Sequence, residues 1–370
     1  MRDDLELYNT KPGTPAGRYM RLFWHPVHVA EKLEPGQAIP IRVMNEDMTL
    51  YRGESGAVHL TAFRCAHRGT QLSTGWVEGD CIRCRYHGWK YDGTGQCIEQ
   101  PGEEPGFAEK VRIRSYPARE YVGLIFAYLG EGEPPSIPRL PDFEREGAVI
   151  WSYGHMRPCN FWTALENDPT HLAFTHRGSE IFQNRRLEVH THVTAEETEW
   201  GVMILTTFPS FLHVSHHGMP NMTYSRSPDR DRLSWKVPLD DERYLNFQAN
   251  LMHLPPGSDA ELYRNWHASR RGERSGPSYL EVAESILRGE LSIEEVEDRS
   301  NMNWIQDYVT QVGQGHPRDY LSMERLGRSD VAIVHFRRIW EREIRAMLEV
   351  RPLKRWGGWE RLDKGSGADL

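Results

Sequence analysis

Two thiols and two imidazoles stand close together in this chain: Cys65-Ala66-His67, then sixteen residues, then Cys84-Arg85-Tyr86-His87. Four such side chains can hold a metal centre. One reading is a Cys2His2 zinc site, although Cys-x-His is an unusual half-site for zinc. The other is a [2Fe–2S] cluster with one iron on two Cys and the other on two His, a division that raises the reduction potential. Each stretch carries one Cys and one His, so both would contribute to both irons. A second constellation follows at Asp168-x-x-His171, with His176 five residues further on. Two His and a later carboxylate hold Fe(II) with positions open for O2. A cluster only moves electrons, and such an iron would receive them. An α-helix turns about 100° per residue, which puts His171 and His176 roughly 140° apart on a straight helix. A distorted or interrupted helix is therefore expected across 166–180.

The flanks carry a resemblance. Residues 84–97 read Cys-Arg-Tyr-His-Gly-Trp-Lys-Tyr-Asp-Gly-Thr-Gly-Gln-Cys, and this run resembles the second cluster loop of the Rieske non-haem iron oxygenases. The run Ala164–His176 is similar to the iron-binding segment of the same family. The resemblance implies that Cys65, His67, Cys84 and His87 hold a Rieske [2Fe–2S] cluster. It implies that His171 and His176 bind a mononuclear Fe(II), and that Asp168 lies between the two metal centres. The third iron ligand is expected in Asn301–Asp307, which resembles the Gln-Asp pair of the phthalate-dioxygenase-like branch, at Asp307. Rival acids are Glu297, Asp298, Asp240 and Asp241. Tyr320–Asp330, ending in Arg337-Arg338, and Trp235–Asp241 resemble further signatures of that branch. Two departures stand out. Asn167 abuts Asp168 where the family has spacer residues, so Glu166 and Asn167 receive no role. Arg85 replaces a common Pro and reads as an exposed loop cation.

The family mechanism then implies electrons from NAD(P)H through a separate flavin or iron–sulfur reductase, with or without a ferredoxin. It implies O2 as co-substrate and a homotrimer in which Asp168 bridges a cluster His of one subunit and an iron His of the next. No Gly-x-Gly-x-x-Gly follows a strand, in keeping with an external reductase. Gly17–Pro26 and Gln100-Pro101 resemble aromatic-acid hydroxylases and O-demethylases of aryl ethers. The expected reaction is hydroxylation or oxidative O-demethylation of a small carboxylated or methoxylated aromatic substrate, with cis-dihydroxylation as the alternative. A Rieske electron carrier without oxygenase activity and a zinc-stabilised binding protein are the readings of other classes.

These residues need elements to position them. The chain has 370 residues, 38% of them hydrophobic, and a mean hydropathy of −0.65. That suits two domains. The expected class is α+β, with a small all-β cluster domain followed by a larger domain in which helices cover an antiparallel sheet. The boundaries expected are a mobile lead-in over 1–20, the cluster domain over 21–130, a Pro/Gly-rich connector over 131–145 and the iron domain over 146–370. Alternation over 41–44, 49–51 and 57–60 predicts short strands, and 122–129 a buried one. Residues 260–276 read as a charged surface insertion, and 292–311 and 331–350 as helices, the latter amphipathic. A net charge of −8 excludes a basic nucleic-acid footprint. No apolar run approaches a membrane span, and the stretch Met-Arg-Asp-Asp-Leu-Glu-Leu at residues 1–7 lacks the apolar h-region expected of a secretory signal. Five Cys do not make a disulfide framework, which points to a reducing cytoplasm. Cys81, Cys97 and Cys159 read as buried hydrophobes. His25 reads as structural, and His213, His216 and His217 as strand or loop residues.

Overall fold

The computed structural model describes residues 5–167, 192–207, 212–227, 229–254, 257–259, 261–263, 278–297 and 301–360. Asp168, His171, His176, the expected helix distortion, Asp298 and nearly all of the expected insertion lie outside the described residues.

The first half is built from short antiparallel strands. They are β1 (Trp24–Val29), β2 (Ala38–Val43), β3 (Glu46–Arg52), β4 (Val58–Ala62), β5 (Trp76–Glu78), β6 (Cys81–Arg83), β7 (Lys90–Tyr91), β8 (Cys97–Glu99), β9 (Ser115–Tyr116), β10 (Ala118–Tyr121) and β11 (Leu124–Tyr128). They form three sheets, in the orders β1-β11-β10, β2-β3-β4-β9 and β5-β6-β7-β8. Every residue of β11 is buried.

Seven strands between Ile150 and Met252 form one antiparallel sheet. Its members are β12 (Ile150–Arg157), β13 (His192–Glu197), β14 (Gly201–Thr207), β15 (Leu212–Gly218), β16 (Met222–Arg226), β17 (Arg230–Pro238) and β18 (Tyr244–Met252), in the order β12-β18-β17-β16-β15-β14-β13. Successive side chains on a strand point to opposite faces. Leu233, Trp235 and Val237 of β17 and Phe247, Ala249 and Leu251 of β18 share one buried face. That face meets the first half, where Phe126 packs edge-on against Trp235 at 5.3 Å between ring centroids. The backbone N–H groups of Met44 and Asn45 bond the carbonyls of Pro238 and Leu239, which ties the β2–β3 turn to the end of β17. One apolar core therefore runs across the expected connector, and a second, smaller one lies beneath the Cys-His loops.

Among the described residues, five helices of six or more residues complete the frame: α1 (Pro15–Met20), α2 (Phe161–Asn167), α3 (Tyr279–Leu287), α4 (Met302–Gly313) and α5 (Val331–Leu348). The segment 292–311 is not one helix. It divides into a short 3-10 turn, Ile293–Glu295, and α4. The amphipathic reading of 331–350 holds, with Ile333, Phe336, Trp340 and Ile344 buried on one side of α5. The stretch read as a mobile lead-in is instead packed from Leu5 to Met20. Thr14 caps α1, and Pro15 occupies the first helical position, where its missing N–H costs nothing. Tyr19 lies edge-on to Trp340 at 5.4 Å and accepts a hydrogen bond from the Trp356 indole. Apolar residues spaced for one helix face were present there, and the Pro and Gly that suggested a mobile coil are the helix's start signal and its close-packing site. A Cβ at Gly17 would lie 2.1 Å from the Lys11 carbonyl oxygen.

Glu166, which has no assignable role from its sequence context, anchors α2 to α5. The Arg337 guanidinium, 2% exposed, bonds both oxygens of Glu166 and both of Glu324. Burial pushes the Glu166 carboxyl up, and the facing Arg337 opposes it. Removing the guanidinium would strand a buried carboxylate. Arg337→Met is expected to destabilise the protein by about 3–5 kcal/mol, measured as a shift in denaturant midpoint. A wild-type midpoint would remove this pair as the anchor.

Glu197 on β13 accepts two bonds from Arg342, at 2.8 and 2.9 Å, and one from Lys354 at 2.7 Å. The Arg342 bonds, with help from Lys354, hold its carboxyl at about 2, below an ordinary value of about 4.5. The stability it contributes is thus complete above about 4.5 and fades as pH falls towards about 2. Arg342 is half exposed, so solvent screens the effect. The stability difference between wild type and Glu197→Gln should shrink as pH falls from neutral to 2.5, followed by urea unfolding; a constant difference would refute this linkage.

Candidate metal centres

The two Cys-His loops share one backbone design. In the first, Cys65 N–H donates to Thr70 O and Gly69 N–H donates back to Cys65 O; in the second, Cys84 N–H donates to Trp89 O and Gly88 N–H to Cys84 O. Gly69 and Gly88 have φ of +77° and +75°, the left-handed region open to glycine. Both loops therefore read Cys-x-x-x-Gly, with the His two residues after the first Cys and three after the second. The β6–β7 hairpin holds the second loop, and the Arg64–Gln71 bridge closes the first.

This geometry sorts the ligand types. Cys65 and Cys84 are 3% and 2% exposed, and their thiols are close enough to interact. His67 and His87 lie to the outside, with ring centroids 4.5 Å apart. Trp89, nearly parallel to His67 at 4.6 Å, backs that ring. Sulfur sits inside and nitrogen outside, as a cluster with one thiolate-held and one imidazole-held iron requires. Burial pushes the Cys65 thiol up, so its thiolate needs a metal to be favourable. Nδ1 of His67 is buried with no partner among the described residues, which leaves a nitrogen available to a metal. Desolvation, then His67 and Arg68, lowers His87, favouring the neutral, ligating form. The four side chains fit a mixed-ligand [2Fe–2S] group. When bound, that group supplies single electrons at a raised potential.

Tyr91 supports the inner side. Its hydroxyl accepts from the Ala66 N–H at 3.2 Å and faces Cys65 Sγ at 3.2 Å. A metal-binding thiolate has no proton to give, so with Cys65 ionised the phenol is the donor of this pair. Sequence reasoning passed over Tyr91; its place in the short β7 after the second loop was the available signal. Of the other Cys, Cys97 and Cys159 are buried, and Cys81 is only half-buried. His25 is fully buried and bonds Met20 O at 2.7 Å, a structural role. His213, His216 and His217 lie on β15. Arg85 is exposed, with its guanidinium 4.2 Å from the Trp76 ring centroid.

Asp307 lies on α4, on the side that faces β12, where its charge acts on the buried Arg157. One turn later, Gln311 accepts from Arg157 Nη1 at 3.2 Å and from Tyr244 OH at 3.1 Å. The rival acids are engaged elsewhere: Asp240 with Arg243, and Asp241 with Lys11. Glu297 is exposed. Asp307 is thus the one expected iron ligand within the described residues. Arg157 and His155 were missed by sequence reasoning, although Tyr153, His155 and Arg157 alternate along one strand.

Residues 23–117 match the family model for the Rieske [2Fe–2S] domain. The chain is 29% identical to the 5,5'-dehydrodivanillate O-demethylase oxygenase subunit of Sphingobium sp., over 92% of this chain and 79% of that one. It is 29% identical to the phenoxybenzoate dioxygenase subunit alpha of Ectopseudomonas oleovorans, over 92% and 84%. Its fold matches the oxygenase in a reduced oxygenase–ferredoxin complex of carbazole 1,9a-dioxygenase, with a TM-score of 0.65 and 19% identity over 86% of this chain and 89% of that one.

A hydrogen bond to a cluster sulfur stabilises the more negative, reduced state. Tyr91→Phe is therefore expected to lower the cluster potential by roughly tens of mV, read by EPR-monitored redox titration. An unchanged potential would show that the phenol proton points elsewhere. With the two loops, the sheet architecture and these relatives in agreement, the chain belongs to the Rieske non-haem iron oxygenases, as an O2-incorporating oxygenase alpha subunit with a [2Fe–2S] cluster and a mononuclear iron.

Proposed function

We propose that this chain is the terminal oxygenase that hydroxylates or oxidatively O-demethylates an aromatic carboxylate, with electrons delivered by a separate reductase. The observation that carries this reading is its similarity, over nine-tenths of its length, to an O-demethylase oxygenase subunit. Phenoxybenzoate dioxygenase, similar over the same share, favours cis-dihydroxylation as a second reading. The ferredoxin held by the carbazole oxygenase supports a small iron–sulfur donor. Cluster cysteines must stay reduced to bind iron, which supports a cytoplasmic setting.

In this reading residues 21–130 form the cluster domain, 131–145 the connector and 146–370 the iron domain. Cys65, His67, Cys84 and His87 hold the cluster, and His171, His176 and Asp307 hold the iron. The bound iron supplies O2 activation through its open positions. Asp168 works between neighbouring subunits of a trimer. Its carboxylate accepts imidazole N–H bonds from a cluster His on one side and an iron His on the other, fixing both rings. His87 and Tyr86 are exposed at the tip of their loop, where a neighbour or donor can approach. A cyclic head-to-tail ring satisfies that arrangement.

Metal analysis and product assays test the assignment. The wild type should carry three irons per chain. Asp307→Ala should keep the cluster absorption, lose the third iron and form no product. Asp168→Asn should keep all three irons and lose most turnover. Released formaldehyde marks demethylation, and a diol marks dioxygenation. Full iron content in Asp307→Ala would remove Asp307 from the ligand set.

A further inference from the structure

The face of the seven-strand sheet opposite the apolar core is polar at its β12 end. On β12 it carries Tyr153, His155 and Arg157; on β18, Asn246, Gln248 and Asn250; on β17, Ser234 and Lys236. The register aligns His155, Asn246 and Lys236 in one row and Tyr153, Gln248 and Ser234 in the next, with strands about 4.8 Å apart. Arg157 is 3% exposed, Lys236 and Gln248 5%, and Asn246 7%. Polar groups hidden to this degree need partners.

Several have them within the sheet. Ser234 donates to Asn246 at 2.7 Å, Tyr153 to Gln248 at 2.5 Å and Lys236 to Thr223 at 3.3 Å. Among the described residues, two groups are left over. Arg157 has five N–H donors and makes one hydrogen bond, to Gln311; its Nε is buried without a partner. Nε2 of His155 is likewise buried and unpartnered. Burial first, then the cations of Arg157 and Lys236, pushes His155 down to about 3, so it is neutral near pH 7 and offers one donor and one acceptor. Trp304 of α4 stands edge-on to His155 at 5.3 Å, and the charge of Asp307, on the same helix as Trp304, acts on Arg157. The leftover donors therefore lie on the sheet directly beneath the helix that carries the proposed iron ligand.

We propose that Arg157, flanked by His155 and Lys236, is the receptor for the carboxylate of the aromatic substrate. A guanidinium edge matches a carboxylate with two parallel N–H···O bonds, and the open Nε is half of such an edge. A carboxylate there completes a buried cation that one neutral amide satisfies only in part. Neutral His155 adds a donor without a competing charge. The assignment rests on the proposed function, because it takes the substrate to bind against this polar face beside α4. Relatives that the chain resembles are named for carboxylates, dehydrodivanillate and phenoxybenzoate.

Calorimetric titration of the iron-loaded protein with 3-methoxybenzoate and with methoxybenzene tests it. The acid should bind the wild type roughly tenfold or more tightly than its neutral partner. Arg157→Gln should abolish that preference and leave methoxybenzene affinity within about twofold, whereas Arg157→Lys should keep part of it. An unchanged cluster spectrum in each variant confirms folding. Absence of acid binding or acid preference in the wild type would overturn the assignment, as would a preference that survives in Arg157→Gln. Equal loss of both affinities in Arg157→Gln and Arg157→Lys would do so too. Product analysis on the same wild-type protein with both compounds reads the proposed function separately. Oxygenated product without acid preference sinks the Arg157 assignment alone, and acid preference without oxygenated product sinks the proposed function alone.

Discussion

The central strands β17 and β18 of the seven-strand sheet are buried on both faces, and much else is arranged around that constraint. A strand turns alternate residues to opposite sides, so each residue of β12, β17 and β18 serves either the core or the space under the helices. Trp235 and Phe247 face the first half of the chain; Lys236 and Asn246, one position away, share the opposite face with His155, which meets Trp304 of α4. A slip of one residue in either strand would exchange the two sets. The precise register of β17 with β18 over nine pairs thus keeps the core apolar and the opposite face polar at once.

The cluster loops solve a different problem with equal economy of sequence. Two five-residue turns, each closed by a left-handed glycine, place their cysteines inward and their histidines outward. Shifting the His by one residue between the loops lets identical backbones present rings that meet at one point. The buried Tyr91 and Trp89 then fix the inner and outer sides.

Much of this was legible in the chain itself. The spacing of Cys65, His67, Cys84 and His87 names its own chemistry, because few arrangements mix sulfur and imidazole in that way. Strand alternation marked the small sheets, and the stripe through Ile333, Phe336 and Trp340 marked α5. The illegible parts are those decided by distant partners. Glu166 is meaningful only through Arg337, 171 residues later. Arg157 and His155 look like ordinary strand polars until both faces of their sheet are seen to be covered. Pro15 and Gly17 read as coil because the contacts that secure their helix, those of Tyr19 with Trp340 and Trp356, come from distant parts of the chain.

That last contact has a bearing on modularity. The segment from Leu5 to Met20 precedes the cluster unit, yet its apolar residues belong to the same core as α5, near the far end of the described chain. The cluster unit is therefore bracketed by a clasp between distant parts of one polypeptide. A chimera made by exchanging residues 21–130 alone would inherit a seam cut for another partner, at Phe126 and Trp235 and at the β2–β3 turn. Recombination between relatives is better tolerated when the leading segment, the cluster unit and the last helix travel together.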